Sequence, residues 1–169
     1  MPVKYDFGCG QNKHSPDHIG VDAWDGNNPD ICVSILDTQR MHDLIRSNSA
    51  DEIVCKHVFE HLPHDDDWKT AMRQMARILR PGGRFEIRVP HPAHDDAMIH
   101  GHRHVFTPQF WRAMQDGDWL AGELVITHIE EVPNPEAVAL CDAHNLRFTE
   151  WSKLLRNTFL ETCVTGYKP

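Results

Sequence analysis

Basic residues are in the minority in this chain: 17 Lys and Arg stand against 25 Asp and Glu, a formal charge of -8 with His neutral. No stretch gathers the cations into a stripe that could track phosphates, which argues against nucleic-acid strands as partners. Long apolar runs are also lacking. None approaches the roughly 20 residues a membrane helix needs, and Met1-Pro2-Val3-Lys4-Tyr5-Asp6 carries no signal-peptide core, so a cytoplasmic protein away from membranes is expected. Cys-x-x-Cys does not occur, and the cysteines number five, an odd count. Cys32, Cys55 and Cys163 sit inside apolar runs, where small buried thiols are the plain reading, ahead of disulfides or a zinc site. There is no internal repeat, low-complexity tract or Gly/Ser/Pro-rich linker, so residues 1–169 are expected to form one domain.

What is present is an ordinary globular composition, 40% hydrophobic and 25% charged, over a length able to bury a real core. The unusual number is 13 histidines, five of them (His91, His94, His100, His102, His104) within one stretch of 14 residues. Short apolar runs bounded by Gly, Pro, Asn or Asp recur at Val3 to Phe7, His18 to Val21, Ile31 to Leu36, Glu52 to Val58 and Phe85 to Val89, and read as strands. Between the last two, Trp68, Met72, Met75 and Leu79 repeat with the period of one helical face, and Pro81-Gly82-Gly83 ends the pattern. A strand, a helix and a strand at this spacing imply a parallel crossover. A weaker helix is expected over Thr38 to Asn48, and another from Thr107-Pro108 to Gly117, with Thr as cap and Pro at the first helical position. The remainder reads as a strand (Leu124 to Ile129), a helix opened by Asn134-Pro135, a short helix near Thr149 to Arg156, and a last strand (Phe159 to Thr165). The architecture is therefore α/β, a mostly parallel, Rossmann-like sheet of six to seven strands with helices on its faces.

The polar residues at the strand ends carry the functional signal. The first strand runs into Asp6-Phe7-Gly8-Cys9-Gly10, where glycine permits a sharp turn and close approach of backbone to ligand. The second ends in Gly20-Val21-Asp22, placing an acid 16 residues after Asp6 where it could bind a ribose diol. Asp37 closes the third strand, and the fourth leads into Lys56-His57-Val58-Phe59-Glu60-His61-Leu62.

These pieces, followed by Arg77-Ile78-Leu79-Arg80-Pro81-Gly82-Gly83-Arg84 and His102-Arg103-His104-Val105-Phe106-Thr107-Pro108, stand in one order across residues 3 to 111. In that order the chain resembles the class I S-adenosylmethionine-dependent methyltransferases, in their short methyltransferase-11-like branch. The resemblance implies S-adenosylmethionine as cofactor, with Gly8-Cys9-Gly10 passing under its methionine part and Asp6 supporting that turn or the amino group. It implies Asp22 on the ribose hydroxyls, Leu36 and Asp37 at the adenine, and Lys56 and His57 closing the methionyl end, mainly through backbone atoms. Trp24, two residues past the ribose acid, is expected to stack over the ribose or adenine. Asp22 and Asp37 have a plainer reading as loop caps, Glu60-His61 reads as structural, and the Trp68, Met72, Met75, Leu79 stripe reads as core.

The chain also departs from that pattern. Gln11 to Asp17 contains Pro16 and has no apolar period, so the usual first helix is curtailed to a turn. A nicotinamide site needs that helix N-terminus and a third glycine, and Lys13 stands in the glycine's place. The chain begins about three residues before its first strand, so no N-terminal helical cap over the substrate is expected. Strict alternation in Arg84-Phe85-Glu86-Ile87-Arg88-Val89 suits a strand with one wet face, open to solvent or to a second subunit in a homodimer.

The histidine-rich stretch should form a loop over the open end of the sheet. His91 and His57 are expected to face the sulfonium side as candidate bases, and His102 to orient substrate. The loop has two rival readings: a metal site, since His and Asp can ligate zinc, nickel or iron, and a solvated lid without individual roles. No metal ligands are assigned, because spacing in an irregular loop fixes no geometry. The expected function is methyl transfer to O or N of a small-molecule, saccharide or nucleotide-like acceptor. The alternatives are a non-catalytic methyltransferase-like binding or assembly module, and a metal-binding protein built on the loop from His91 to His104.

Overall fold

The computed structural model describes residues 1–117, 119, 122–152 and 157–169, without the side chain of Trp151. Seven strands form one sheet: β1 (Lys4–Phe7), β2 (Ile19–Asp22), β3 (Ile31–Cys32), β4 (Ala50–Lys56), β5 (Leu79–Pro90), β6 (Val125–Pro133) and β7 (Phe159–Tyr167), in the order β3-β2-β1-β4-β5-β7-β6. The first five in that order run parallel, and β7 lies antiparallel between β5 and β6. Helices α1 (Thr38–Leu44), α2 (Asp67–Ile78), α3 (Pro108–Asp116), α4 (Pro135–Ala143) and α5 (Phe148–Trp151) complete the regular elements. Among the described residues no helix is long and apolar enough to cross a membrane.

Register assigns the side chains of the sheet to two unlike faces. Tyr5, Phe7, Val21, Ile53, Cys55, Phe85, Ile87, Val89 and Val164 share one face and one hydrophobic cluster with Met41 of α1, Trp68, Met72 and Met75 of α2, and Trp111 and Met114 of α3. The opposite face carries Lys4, Glu52, Arg84, Glu86, Arg88 and Glu161, joined by Lys4–Glu52, Arg88–Glu86 and Arg88–Glu161 ion pairs of 3.3, 2.7 and 3.2 Å. The alternation in residues 84–89 is thus a real division between core and water. No helix forms between β1 and β2. Residues 11–18 are turns there, held by polar contacts such as His14 N–H donating to Asp6 Oδ2 at 2.6 Å.

Element ends follow local chemistry. Thr107 accepts from Phe110 N–H at 3.1 Å with Pro108 at the first helical position of α3, and Asn134 accepts from Glu136 N–H at 3.0 Å at the start of α4. After α2 the Pro81-Gly82-Gly83 segment belongs to β5, which pairs Leu79 with Ala50, shifts register, and resumes with Arg84 opposite Glu52. Two expectations need correction. The strand expected over Ile31 to Leu36 is only the two residues of β3, because the chain leaves the sheet edge and spends Val33 and Ile35 on a cleft wall. The helix expected near Thr149 to Arg156 is α5, Phe148–Trp151, and residues 153–156 lie outside the described residues.

Arg77 joins α2 to the end of α1. From α2 its guanidinium donates to Met41 O (3.1 Å), Ile45 O (2.8 Å) and Ser47 Oγ (3.1 Å), adding a second donor to Met41 O and supplying one to the carbonyl that closes α1. Replacing Arg77 by Ala should therefore lower stability by about 1.5–3 kcal/mol, the value of a hydrogen bond to a charged group, or roughly 5–10 °C in Tm. Thermal unfolding of the Arg77→Ala and Arg77→Lys proteins checks this; a shift below 1 °C in both would show that the contact contributes nothing.

Candidate functional site

A cleft of about 360 Å³ opens beyond the ends of β1, β2 and β4, within the size range of small-ligand pockets. Its floor is the turn after β1. Gly8 has φ of +71°, and a Cβ there would fall 2.1 Å from Val58 Cγ2, so both backbone shape and space require glycine. The N–H groups of Gly8 and Cys9 converge on Val21 O at 2.7 and 3.3 Å, drawing the turn onto β2. One wall is apolar, formed by Val33, Ile35 and Leu36, and faces Leu62 and Pro63.

Asp22 stands at the rim. Its Oδ2 accepts from Gly10 N–H and its Oδ1 from Trp24 N–H, both at 2.9 Å. Each carboxylate oxygen keeps a further acceptor position, so the group is fixed in place yet still able to receive two hydroxyl donors. Asp6 is buried behind the turn, where it holds His14 N–H. Burial is the main cause that raises its pKa, and the His14 bond partly offsets it. Lys56 points to the same segment and donates from Nζ to His14 Nδ1 at 2.7 Å.

The other expected cofactor residues divide. Gly8, Asp22, Leu36 and His57 line the cleft. Cys9 and Gly10 line a groove on the far side of the turn, with Lys13 and Asp30. Two more of the expected residues do not line the cleft. Trp24 is 65% exposed and lies over Gly26, where a Cβ would meet the indole at 2.5 Å, so its ring is no part of the cleft wall. Asp37, expected at the adenine, caps α1 by accepting from Arg40 N–H at 3.1 Å.

The expected bases also take other roles. His57, at φ of +53°, is clamped between Glu161 Oε1 (2.8 Å from Nε2) and Glu60 Oε1 (3.1 Å from Nδ1). The Glu161 hydrogen bond first, then that of Glu60, pushes its pKa up to about 9. At neutral pH it is a cation with both N–H groups donating, which corrects its expected role as a base. His91 is buried away from the cleft lining. Its Nδ1 accepts from Ala93 N–H at 3.1 Å, so Nε2 holds the proton and donates to Glu131 at 3.3 Å. His102 lies on a second cleft of about 370 Å³, which shares His57 with the first and is also lined by Leu160 and Glu161. His61, read from the sequence as structural, lines the main cleft. Glu161 left no signal of its own, because only the antiparallel pairing of β7 brings it to Pro90 and so to His57.

Residues 5–87 match the family model described as a methyltransferase domain. Over those residues, just under half of the chain, the sequence is similar to the methyltransferase-domain family. No curated protein matches the sequence. Among solved structures, a protein from Archaeoglobus fulgidus, titled a SAM-dependent methyltransferase, superposes with TM-score 0.68 at 12% identity, over 99% of this chain and 86% of that one. Geranyl diphosphate C-methyltransferase from Streptomyces coelicolor A3(2) gives 0.62 at 14%, over 100% and 73%. The [4+2]-cyclase SpnF gives 0.62 at 14%, over 99% and 76%. At these identities the likeness carries the class I methyltransferase fold, while the chemistry rests on the site.

Burial drives the pKa of His91 below its ordinary value of 6.5, against the opposing pull of Glu131. The folded state therefore prefers the neutral ring. Its contribution to stability is present above the unfolded-state value and is lost as pH falls through about 6.5. Relative to a His91→Gln protein, wild type should lose stability between pH 7.5 and 5.5. Urea unfolding of both across that window checks the sign, and a constant difference would contradict a buried neutral His91.

Proposed function

We propose that residues 1–169 form one cytoplasmic domain, a class I S-adenosylmethionine-dependent methyltransferase acting on O or N of a small-molecule, saccharide or nucleotide-like acceptor. The observation that carries the reading is the pairing of Asp22 with Gly8: a fixed carboxylate able to receive a vicinal diol, beside a floor with no room for a side chain. The cleft fits the cofactor in two further respects. Its apolar wall at Val33, Ile35 and Leu36 suits an adenine ring. No helix N-terminus follows the glycine turn, and this cofactor, unlike a dinucleotide, carries no phosphate that would need one.

When bound, S-adenosylmethionine supplies a methyl group on an electrophilic sulfonium. Gly8 leaves space for it, Asp22 orients its ribose, and Leu36 borders its base. His57, held by Glu60 and Glu161, fixes the tip of β4 against β7 at the point where the two clefts meet, so the chain's part in the reaction is chiefly to bring reactants together. His102 lines the second cleft, which supports the role assigned to it in orienting the acceptor.

A second reading, a methyltransferase-like binding or assembly module without turnover, is favoured by one observation. Of the histidines expected to act as bases, His57 is a cation and His91 has both nitrogens engaged.

Thermal unfolding with S-adenosylmethionine and its demethylated product tests the cofactor assignment, since a ligand at 100 times its Kd adds about 2.7 kcal/mol to the native state. Asp22→Asn should weaken binding by about 1.5–3 kcal/mol, roughly ten- to hundredfold. Unchanged affinity in a folded Asp22→Asn protein would falsify the placement of the ribose. Binding without release of demethylated product across an acceptor panel would favour the module.

A further inference from the structure

The turn after β4 and the histidine-rich loop after β5 meet at one point. Arg103 N–H and His104 N–H both donate to Glu60 O, at 2.7 and 3.2 Å, and His104 Nε2 bonds Leu62 O at 2.8 Å, so the loop is fastened to residues 60–62 immediately after His102. This brings the rings of His61 and His102 to 4.6 Å between centroids, nearly perpendicular at 79°. One donor atom from each of Glu60, His61 and His102 lies within 4.8 Å of the other two.

Three features show that these donors are prepared for a ligand. Glu60 is 1% exposed. Its Oε1 is taken by His57, while Oε2 is buried with no hydrogen-bond partner among the described residues. His102 Nδ1 is likewise buried and unpartnered. A buried carboxylate oxygen and a buried imidazole nitrogen each need a partner, and leaving either without one is costly. His61 shares its Nδ1 with Gly101 O at 3.1 Å, which places the proton on Nδ1 and leaves Nε2 with a free lone pair. A histidine that donates one ring N–H to a carbonyl and offers the other nitrogen has the arrangement usual for metal ligands.

We propose that Glu60, His61 and His102 form a site for a divalent first-row transition metal. Two imidazoles and one carboxylate are a competent donor set for zinc, cobalt, manganese or iron(II), and three protein donors leave positions for water or an acceptor oxygen. The site stands between the clefts: His61 borders the one assigned to the cofactor, and His102 borders the second. It also separates the loop histidines by role. His91 is tied to Glu131, His94 to Asp96 and His104 to Leu62, and His102 is the loop histidine that joins the donor set.

The test uses the full chain without an affinity tag, stripped with chelator and titrated with Co²⁺ alone. Wild type should bind one equivalent with visible ligand-field absorption, displaced by Zn²⁺. Glu60→Gln, His61→Ala and His102→Ala should each weaken Co²⁺ about 100-fold or more, the upper end of what loss of even an outer supporting contact costs. His94→Ala and His100→Ala should bind as wild type. His61 is exposed, so its replacement should leave the fold intact and keeps the test informative if Glu60→Gln does not fold. Absence of one-to-one binding, or binding that survives in folded His61→Ala and His102→Ala proteins, overturns the site. The titration contains no S-adenosylmethionine, so its failure and failure of the cofactor assignment are separate results.

Discussion

A sheet that buries one face and wets the other sets the terms for the rest of this molecule. Tyr5, Phe7, Val21, Ile53, Cys55, Phe85, Ile87, Val89 and Val164 lie on one face and cluster there with residues of α1, α2 and α3. The far face has to be stable in water, and it is, through alternating charges paired along and across strands. These pairs contribute little singly; they match a solvated face and leave the helices to supply the core. The same constraint explains the segment between β1 and β2. With no helix to pack there, it is held by carboxylates instead: Asp6 on His14 N–H, Asp22 on Gly10 N–H, and Asp30 on both Gly20 N–H and Lys13. Asp22, the acid that lines the cleft, is thus also one of the acids that replace a helix.

That economy shows what could be read from the residues. Strands β1, β2 and β4, helix α2 and the missing first helix were legible because each is written in local terms: apolar period, glycine, proline and cap. Gly8 and Asp22 were legible for the same reason, since a turn and a strand-end acid are local features. The wall of the cleft was not. Val33 and Ile35 carry the pattern of a strand, and only the departure of the chain from the sheet edge turns them toward the cleft. Trp24 and Asp37 stand at plausible positions, and the nearest unsatisfied partner decided otherwise: a glycine surface for the indole and an open helix end for the carboxylate.

The histidines give the sharper lesson. Their count marks the region as unusual, while their chemistry depends on partners distant in sequence. His57 becomes a cation because Glu161 arrives from a strand 104 residues later. His91 stays neutral through burial, against the pull of Glu131, which faces it from β6 and accepts its Nε2 proton. Residue type named the candidates, and the antiparallel end of the sheet distributed their roles.

One glycine governs that distribution from a distance. Gly166 lies opposite Phe85, and a Cβ there would fall 2.6 Å from the ring and 2.0 Å from Val125 O. The phenyl ring of β5 thus occupies the place a side chain of β7 would take. A slide of β7 by one residue in either direction would drive Thr165 or Tyr167 into that ring, and a slide by two would carry Glu161 about 7 Å along the sheet, beyond reach of His57. The absent side chain acts as an alignment key: it indexes the last strand so that a carboxylate at its other end meets the imidazole between the two clefts.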